Sequence, residues 1–95
     1  DDYLVFSGIG NHQTFISMIK NYDLNIKKDL EFPDHYKYSI DDIDKILQEA
    51  DDLNCKILTT EKDFLRLKHK NLSKINFIKS ELKILDENKL IKSLL

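Results

Sequence analysis

Short apolar runs alternate with segments of helical periodicity along this sequence, and that alternation constrains the fold more than any other feature. Tyr3 to Phe6 is an uninterrupted apolar run, typical of a strand buried on both faces. Asn11 is a predicted N-cap, and apolar residues then recur three and four positions apart on one helical face. Those residues are Phe15, Met18, Ile19 and Tyr22. The chain therefore opens with a strand followed by a helix.

A second strand and helix follow the first pair. Ile26 to Phe32 alternates apolar with charged residues, which predicts an edge strand that ends at Pro33. Ser39 begins a variant capping box whose acidic member is Asp42, and it predicts the start of a second helix. We expect that helix to bury Ile40, Ile43, Ile46, Leu47 and Ala50.

The third strand is predicted at Lys56 to Thr59, and Thr60 opens a short helix that carries Phe64 and Leu67. Three further elements are predicted: strands at Ile75 to Ile78 and Leu82 to Leu85, and a closing helix at Glu87 to Leu95. The short link at 79–80 favours an antiparallel pairing of the last two strands, because parallel neighbours need a long crossover. The order predicts one α/β domain over residues 1–95, a three-layer α/β/α Rossmann-like fold with a mostly parallel sheet of about five strands.

Composition narrows the class of protein. With 95 residues, 41% of them hydrophobic and 34% charged, the chain has the make-up of one small globular domain. Cys55 is the only cysteine, so no disulfide can form within the chain, and it is interpreted as a small buried apolar residue. No signal peptide or run of roughly 20 apolar residues is found. Because the first strand starts almost at Asp1, we expect a fragment of a larger intracellular enzyme.

Charge is distributed unevenly. Residues 1–55 hold 5 Lys against 12 Asp and Glu, whereas residues 56–95 hold 10 Lys and Arg against 5 Asp and Glu. The basic half fits either a solvated lysine-rich face or a surface for an anionic partner.

Three polar patches follow three different predicted strands, at residues 7–11, 33–38 and 59–63. In open α/β sheets, ligands bind beyond the carboxyl ends of the strands, so these patches predict one functional edge. The first patch holds Gly8, Gly10 and Asn11, which fit either a tight turn or a phosphate cradle at a helix N-terminus. His12 and His69 are interpreted as surface residues.

The second patch contains Pro33, Asp34 and His35. A histidine beside a carboxylate suits proton transfer near neutral pH, although a simple turn with a solvated imidazole fits the same residues. The third patch packs hydroxyl, carboxylate and ammonium groups into a strand–helix turn, which indicates helix capping or a phosphate or cation site. Its members are Thr60, Glu61, Lys62 and Asp63.

Other classes of site find less support. A hard-cation cluster of Asp34, Glu61 and Asp63, of the kind that metal-dependent nucleases use, is a further hypothesis. The sequence carries no Gly-x-x-x-x-Gly-Lys-Ser/Thr phosphate loop, no nucleophile elbow, no zinc-ligand spacing and no nucleic-acid signature.

Taken in order, the patches resemble a known family. Phe6 to Asn11 with Phe15, then Phe32 to Tyr36 with Tyr38 and Ser39, then Leu58 to Asp63, are similar to the C-terminal domain of bacterial tetraacyldisaccharide 4′-kinases. The resemblance implies transfer of the ATP γ-phosphate to the 4′-hydroxyl of a tetraacylated glucosamine disaccharide in lipid A biosynthesis. It also implies Mg²⁺ and ATP held mainly by an N-terminal P-loop domain that this sequence lacks, and therefore no activity from this chain alone.

The resemblance assigns roles residue by residue. His35 is the expected catalytic residue, pairing across a cleft with an aspartate of the other domain, and Asp34 orients the loop or the imidazole. The expected substrate- or nucleotide-binding residues are Gly8, Gly10, Asn11, Tyr36, Thr60, Glu61, Lys62 and Asp63. Many members carry a second histidine where this chain has Tyr36.

The implied partners are the N-terminal lobe, the lipid A disaccharide precursor and the cytoplasmic surface of the inner membrane, with no nucleic acid. The alternative is a free-standing module that binds a nucleotide or another anion at the glycine turn.

Overall fold

The computed structural model describes residues 1–79, and eight short elements span them. Strand β1 covers Asp2–Ser7, helix α1 His12–Asn21, strand β2 Asn25–Glu31, helix α2 Ile40–Asp52, strand β3 Lys56–Thr60 and helix α3 Glu61–Phe64. A 3₁₀ turn at Leu72–Lys74 leads into strand β4, Ile75–Ile78. The predicted strand at Leu82 to Leu85 and the predicted closing helix at Glu87 to Leu95 lie outside the described residues.

The four strands form one parallel sheet in the order β2-β1-β3-β4. The α/β class, the parallel pairing and the edge position of β2 are confirmed. Four strands are described, against about five predicted.

Two hydrophobic cores cover the two faces of this sheet. Alternate residues of β1 divide between them, with Leu4 and Phe6 on one face and Val5 on the other. Helix α2 packs on the first face through Ile43, Ile46 and Ala50. Helix α1 packs on the second face through Phe15, Ile16 and Ile19. The layers are therefore helix, sheet and helix, as predicted.

Two predicted core residues lie at the surface instead. Tyr22 is 52% exposed and Ile40 is 63% exposed. Both occupy helix ends, since Tyr22 is the C-cap of α1 and Ile40 is the first residue of α2. Periodicity places them on the apolar face, but the core does not extend to the ends of the helices.

Helix α2 begins with the predicted capping box. The Ser39 hydroxyl accepts a hydrogen bond from the Asp42 N–H, and the Asp42 carboxylate accepts one from the Ser39 N–H. That second bond, with one from the Tyr36 hydroxyl, lowers the pKa of Asp42 below its usual value. At α1, Asn11 occupies the predicted N-cap position, but its side chain accepts from Thr14 and makes no capping bond to the backbone.

Candidate functional site

The three predicted patches meet at the carboxyl ends of β2, β1 and β3. The His35 N–H donates to the Gly8 carbonyl at 2.9 Å, which joins the loop after β2 to the loop after β1. The Gly8 N–H donates to Asp63 Oδ1 at 2.9 Å, which joins the loop after β1 to helix α3. Because β1 lies between β2 and β3, its loop is the centre of this edge.

Position 8 requires a glycine, because the three loops approach one another too closely there for a side chain. A Cβ at this position would lie 3.0 Å from the Pro33 carbonyl oxygen, 3.1 Å from the Tyr38 hydroxyl and 3.2 Å from Asp63 Oδ1. Gly10 is less constrained, since a Cβ there would lie 3.5 Å from Asp34 Oδ2. The N–H of Gly8 is already bonded to Asp63, which weakens the alternative of a free-standing anion-binding module centred on this glycine.

Asp63 is fully buried and organises the edge. Its Oδ1 accepts from the Gly8 N–H, from the Tyr38 hydroxyl at 2.9 Å and from Arg66 Nη2 at 3.1 Å. Its Oδ2 accepts from the Thr60 hydroxyl at 2.6 Å. A buried carboxylate is tolerated only when such partners satisfy it. Asp63 therefore acts as the shared anchor of three loops, and the buried Thr60 supports it.

Asp34 and His35 project from this edge into solvent. The His35 side chain is 86% exposed, and its Nε2 lies 3.8 Å from Asp34 Oδ2. The His35 backbone has φ 60°, the left-handed region that non-glycine residues seldom adopt. The bond to Gly8 and a Tyr36 N–H to Pro33 carbonyl bond of 3.0 Å hold this conformation. The imidazole is thus presented outward from a constrained backbone, open to a reacting group or a partner.

Tyr36 and Tyr38 fix the rest of this loop. The Tyr36 ring stacks on Phe32 with centroids 4.9 Å apart, and its hydroxyl donates to Asp42 at 2.8 Å. That hydrogen bond raises the pKa of Tyr36, while burial and the neighbouring Asp63 raise the pKa of Tyr38. Both phenols therefore act as neutral donors that attach the loop to α2 and α3.

The side chains of the remaining predicted residues surround this edge without joining its hydrogen-bond network. The side chains of Asn11 and Lys62 are exposed and that of Glu61 is half-buried. Within residues 1–79, no three His, Cys, Asp or Glu side chains come together to hold a metal ion, so Asp34, Glu61 and Asp63 form no hard-cation cluster.

The prediction that His12 lies at the surface is wrong. Its ring is buried between the Ser7 hydroxyl, 2.5 Å from Nδ1, and Asp29 Oδ2, 2.9 Å from Nε2. These bonds tie β1, α1 and β2 together directly beneath the glycine turn. The partners lie 5 and 17 positions away along the chain, so no local pattern signals them.

The interpretation of His69 as a surface residue is wrong as well. Its side chain is 3% exposed, and its Nε2 lies 2.6 Å from Asp44 Oδ1. The Asn71 N–H donates to Nδ1, so the proton sits on Nε2. This contact fastens the segment after α3 to helix α2.

Comparison with known proteins places these features in a family. A family model described as tetraacyldisaccharide-1-P 4′-kinase matches residues 1–95. A tetraacyldisaccharide 4′-kinase from Pelagibacter ubique is 56% identical in an alignment 95 residues long that covers 96% of this chain and 30% of the relative. The enzymes of that name from Rickettsia akari and Rickettsia typhi are 41% and 40% identical over 70 and 83 residues, covering 74% and 87% of this chain.

The chain spans only 30%, 22% and 26% of the lengths of these three relatives. No solved structure matches it. None of the helices within residues 1–79 is long and apolar enough to cross a bilayer.

Proposed function

Because the chain belongs to the tetraacyldisaccharide-1-P 4′-kinase family, we propose that it is the C-terminal lobe of a kinase that transfers the ATP γ-phosphate to the 4′-hydroxyl of a tetraacyldisaccharide 1-phosphate in lipid A biosynthesis. The family match confirms the resemblance drawn from the motifs. In this proposal, an N-terminal P-loop lobe holds ATP and Mg²⁺, and the enzyme works at the cytoplasmic face of the inner membrane. The lobe alone is inactive, because phosphoryl transfer depends on positioning and charge neutralisation by that machinery.

The described residues do not fit Mg²⁺. This ion prefers several oxygen ligands, including carboxylates and water, in octahedral geometry. No group of three candidate ligands occurs in residues 1–79, and the carboxylate of Asp63 already accepts four side-chain or backbone donors. The contribution of this lobe to the reaction therefore comes from other groups.

The exposed imidazole of His35 carries the proposal. It stands at the carboxyl edge of the sheet, constrained by its left-handed backbone and open to solvent except on the side of Asp34. Such a ring can exchange a proton with a reacting group and can pair with a carboxylate on a facing lobe. We assign it to tuning the base that removes the proton from the sugar hydroxyl, with Asp34 orienting the ring.

The test is the steady-state kinetics of the full-length enzyme carrying His35→Asn. Asparagine tolerates left-handed backbone, so the variant removes the imidazole and keeps the loop conformation. Loss of assistance to proton transfer predicts a fall in kcat of about 10²–10⁴-fold with little change in KM.

The matched control is Asp23→Asn, which changes another exposed side chain to asparagine at a residue with positive φ, 61°, in the loop between α1 and β2. We expect its kcat to stay within about twofold of wild type, as for surface changes away from a site. A kcat of His35→Asn equal to that of the control would make the Pro-Asp-His turn structural.

A further inference from the structure

We infer that a groove lined by Lys37, Tyr38, Leu65, Arg66 and Lys68 binds an anionic group attached to an apolar one, such as a phosphorylated amphiphile. These three cations have no part in the phosphoryl-transfer role assigned to His35. We call this feature the basic groove.

The basic groove is built by two segments that share one anchor. Residues 37–38 follow β2 and residues 65–68 follow α3, and the space between them is about 520 Å³. Tyr38 and Arg66 both bond to Asp63 Oδ1, at 2.9 and 3.1 Å. This volume falls in the range of small-molecule sites. Because both segments bond to the same carboxylate, their separation is fixed.

The charges of the groove favour an anion. Arg66 pairs with Asp63, whereas Lys37 and Lys68 make no ion pair with any carboxylate of residues 1–79. Three cations in one groove repel one another, which costs free energy. The groove is basic even though the chain as a whole is acidic, with net charge −2. A bound phosphate or similar group would remove that repulsion.

Arg66 also has an unused donor. Its Nη1 is buried and finds no hydrogen-bond partner in the described part of the chain. Buried donors are nearly always satisfied, so this nitrogen calls for an acceptor that residues 1–79 do not supply. The planar guanidinium suits the oxygens of a phosphate or carboxylate.

The apolar wall explains why the ligand would be an amphiphile rather than a free anion. Leu65 is 75% exposed and lines the groove together with Tyr38 and the three cations. A groove that combines apolar side chains with cations suits a ligand that has both an apolar and an anionic part. Two sources share this chemistry: the headgroup region of an anionic lipid, and the phosphate end of the lipid acceptor itself.

Calorimetric titration of the full-length protein with monomeric octyl phosphate tests the inference, with uncharged octyl glucoside as the reference ligand. We expect octyl phosphate to bind more tightly than octyl glucoside. Lys37→Gln combined with Lys68→Gln should weaken it by about tenfold or more, since charge-assisted bonds are lost. Neither lysine contributes to the Asp63 network, so the double variant should fold.

The matched control combines Lys27→Gln with Lys56→Gln, which removes the same charge from lysines paired with Asp2 and Asp1 near the opposite ends of the strands. Its affinity should stay within about twofold, because exposed pairs contribute little. Equal weakening by both pairs of substitutions, no weakening by either, or equal affinity for the two ligands would overturn the inference.

Two further measurements on the groove variant separate the sources. Reduced cosedimentation with phosphatidylglycerol-containing vesicles, at unchanged KM for detergent-dispersed lipid acceptor, would assign the groove to a membrane headgroup. A raised KM would assign it to the phosphate of the acceptor, and no change in either would overturn the inference. The KM measurement rests on the proposed function; a protein without kinase activity would refute that function and leave the titration result standing.

Discussion

The carboxylate of Asp63 decides the geometry of the candidate site at the scale of single residues. The sequence predicts that Asp63 lies in the first turn of a short helix, where a negative charge interacts favourably with the helix dipole, and the structure places it there. Its larger role comes from Gly8, Tyr38 and Arg66, which reach it from 55, 25 and 3 positions away. Only folding brings these donors together.

Asp63→Asn should destabilise the protein strongly. The amide keeps the shape but leaves the Arg66 cation without its partner and cannot accept all four bonds. Breaking a buried pair costs about 3–5 kcal/mol, and we expect about 3 because the Arg66 side chain keeps 28% of its surface exposed. Urea denaturation measures the change in the free energy of unfolding. The exposed Asp23→Asn is the control, expected to change that free energy by less than about 0.5 kcal/mol, and equal losses in the two variants would contradict the role of Asp63.

His12 shows why residue type alone is a poor guide to exposure. A histidine at the first position of a helix, after a glycine turn, is expected to be solvated. Here both ring nitrogens have hydrogen-bond partners, since Asp29 Oδ2 accepts from Nε2 and the Ser7 hydroxyl lies against Nδ1, and these partners make burial tolerable. Its burial depends on the pairing of β1 with β2, which the sequence around His12 does not encode.

At the scale of elements, the beginning of α2 is the feature that local sequence predicts best. Ser39 and Asp42 satisfy each other's backbone N–H groups within four residues, so no tertiary contact is needed to form the capping box. The ends of α1 and α2 are predicted less well, as the exposure of Tyr22 and Ile40 shows.

Ser39→Ala should cost about 0.5–2 kcal/mol, because it leaves the Asp42 N–H without a partner at the helix start. Thermal or urea denaturation gives the value. The same change at Ser17, exposed in the middle of α1, should leave the stability unchanged or slightly raised, since alanine has the higher helix propensity. A loss at Ser17 as large as that at Ser39 would argue against capping as the cause.

At the scale of the whole molecule, one sheet carries two cores. Leu4 and Phe6 pack in the core beneath α2, and Val5 between them packs in the core beneath α1. Neither core can form without β1, so we expect the described part of the chain to unfold as one cooperative unit.

Ile19→Ala and Ile43→Ala test this coupling from the two faces. Both side chains are fully buried, and each truncation should cost about 2–5 kcal/mol. Far-ultraviolet circular dichroism and tyrosine fluorescence should report the same transition midpoint in each variant. The control is Ile40→Ala, an exposed isoleucine on the same helix as Ile43, expected to cost less than about 0.5 kcal/mol. Separate midpoints for the two probes would show that the cores unfold independently.

The sequence by itself determined the strand–helix order, the parallel α/β class, the capping of α2 and the meeting of three patches at one edge. Those features follow from apolar spacing and short-range hydrogen bonds, together with the rule that parallel strands share a carboxyl end. Only the tertiary structure decided that Asp63 is the shared anchor, that His12 is buried, that Gly8 is needed for close approach and that Arg66 faces a basic groove. Each of these depends on groups from different elements coming together in space, and for the hydrogen bonds and close contacts within about 3 Å, which side-chain packing sets and sequence separation does not reveal.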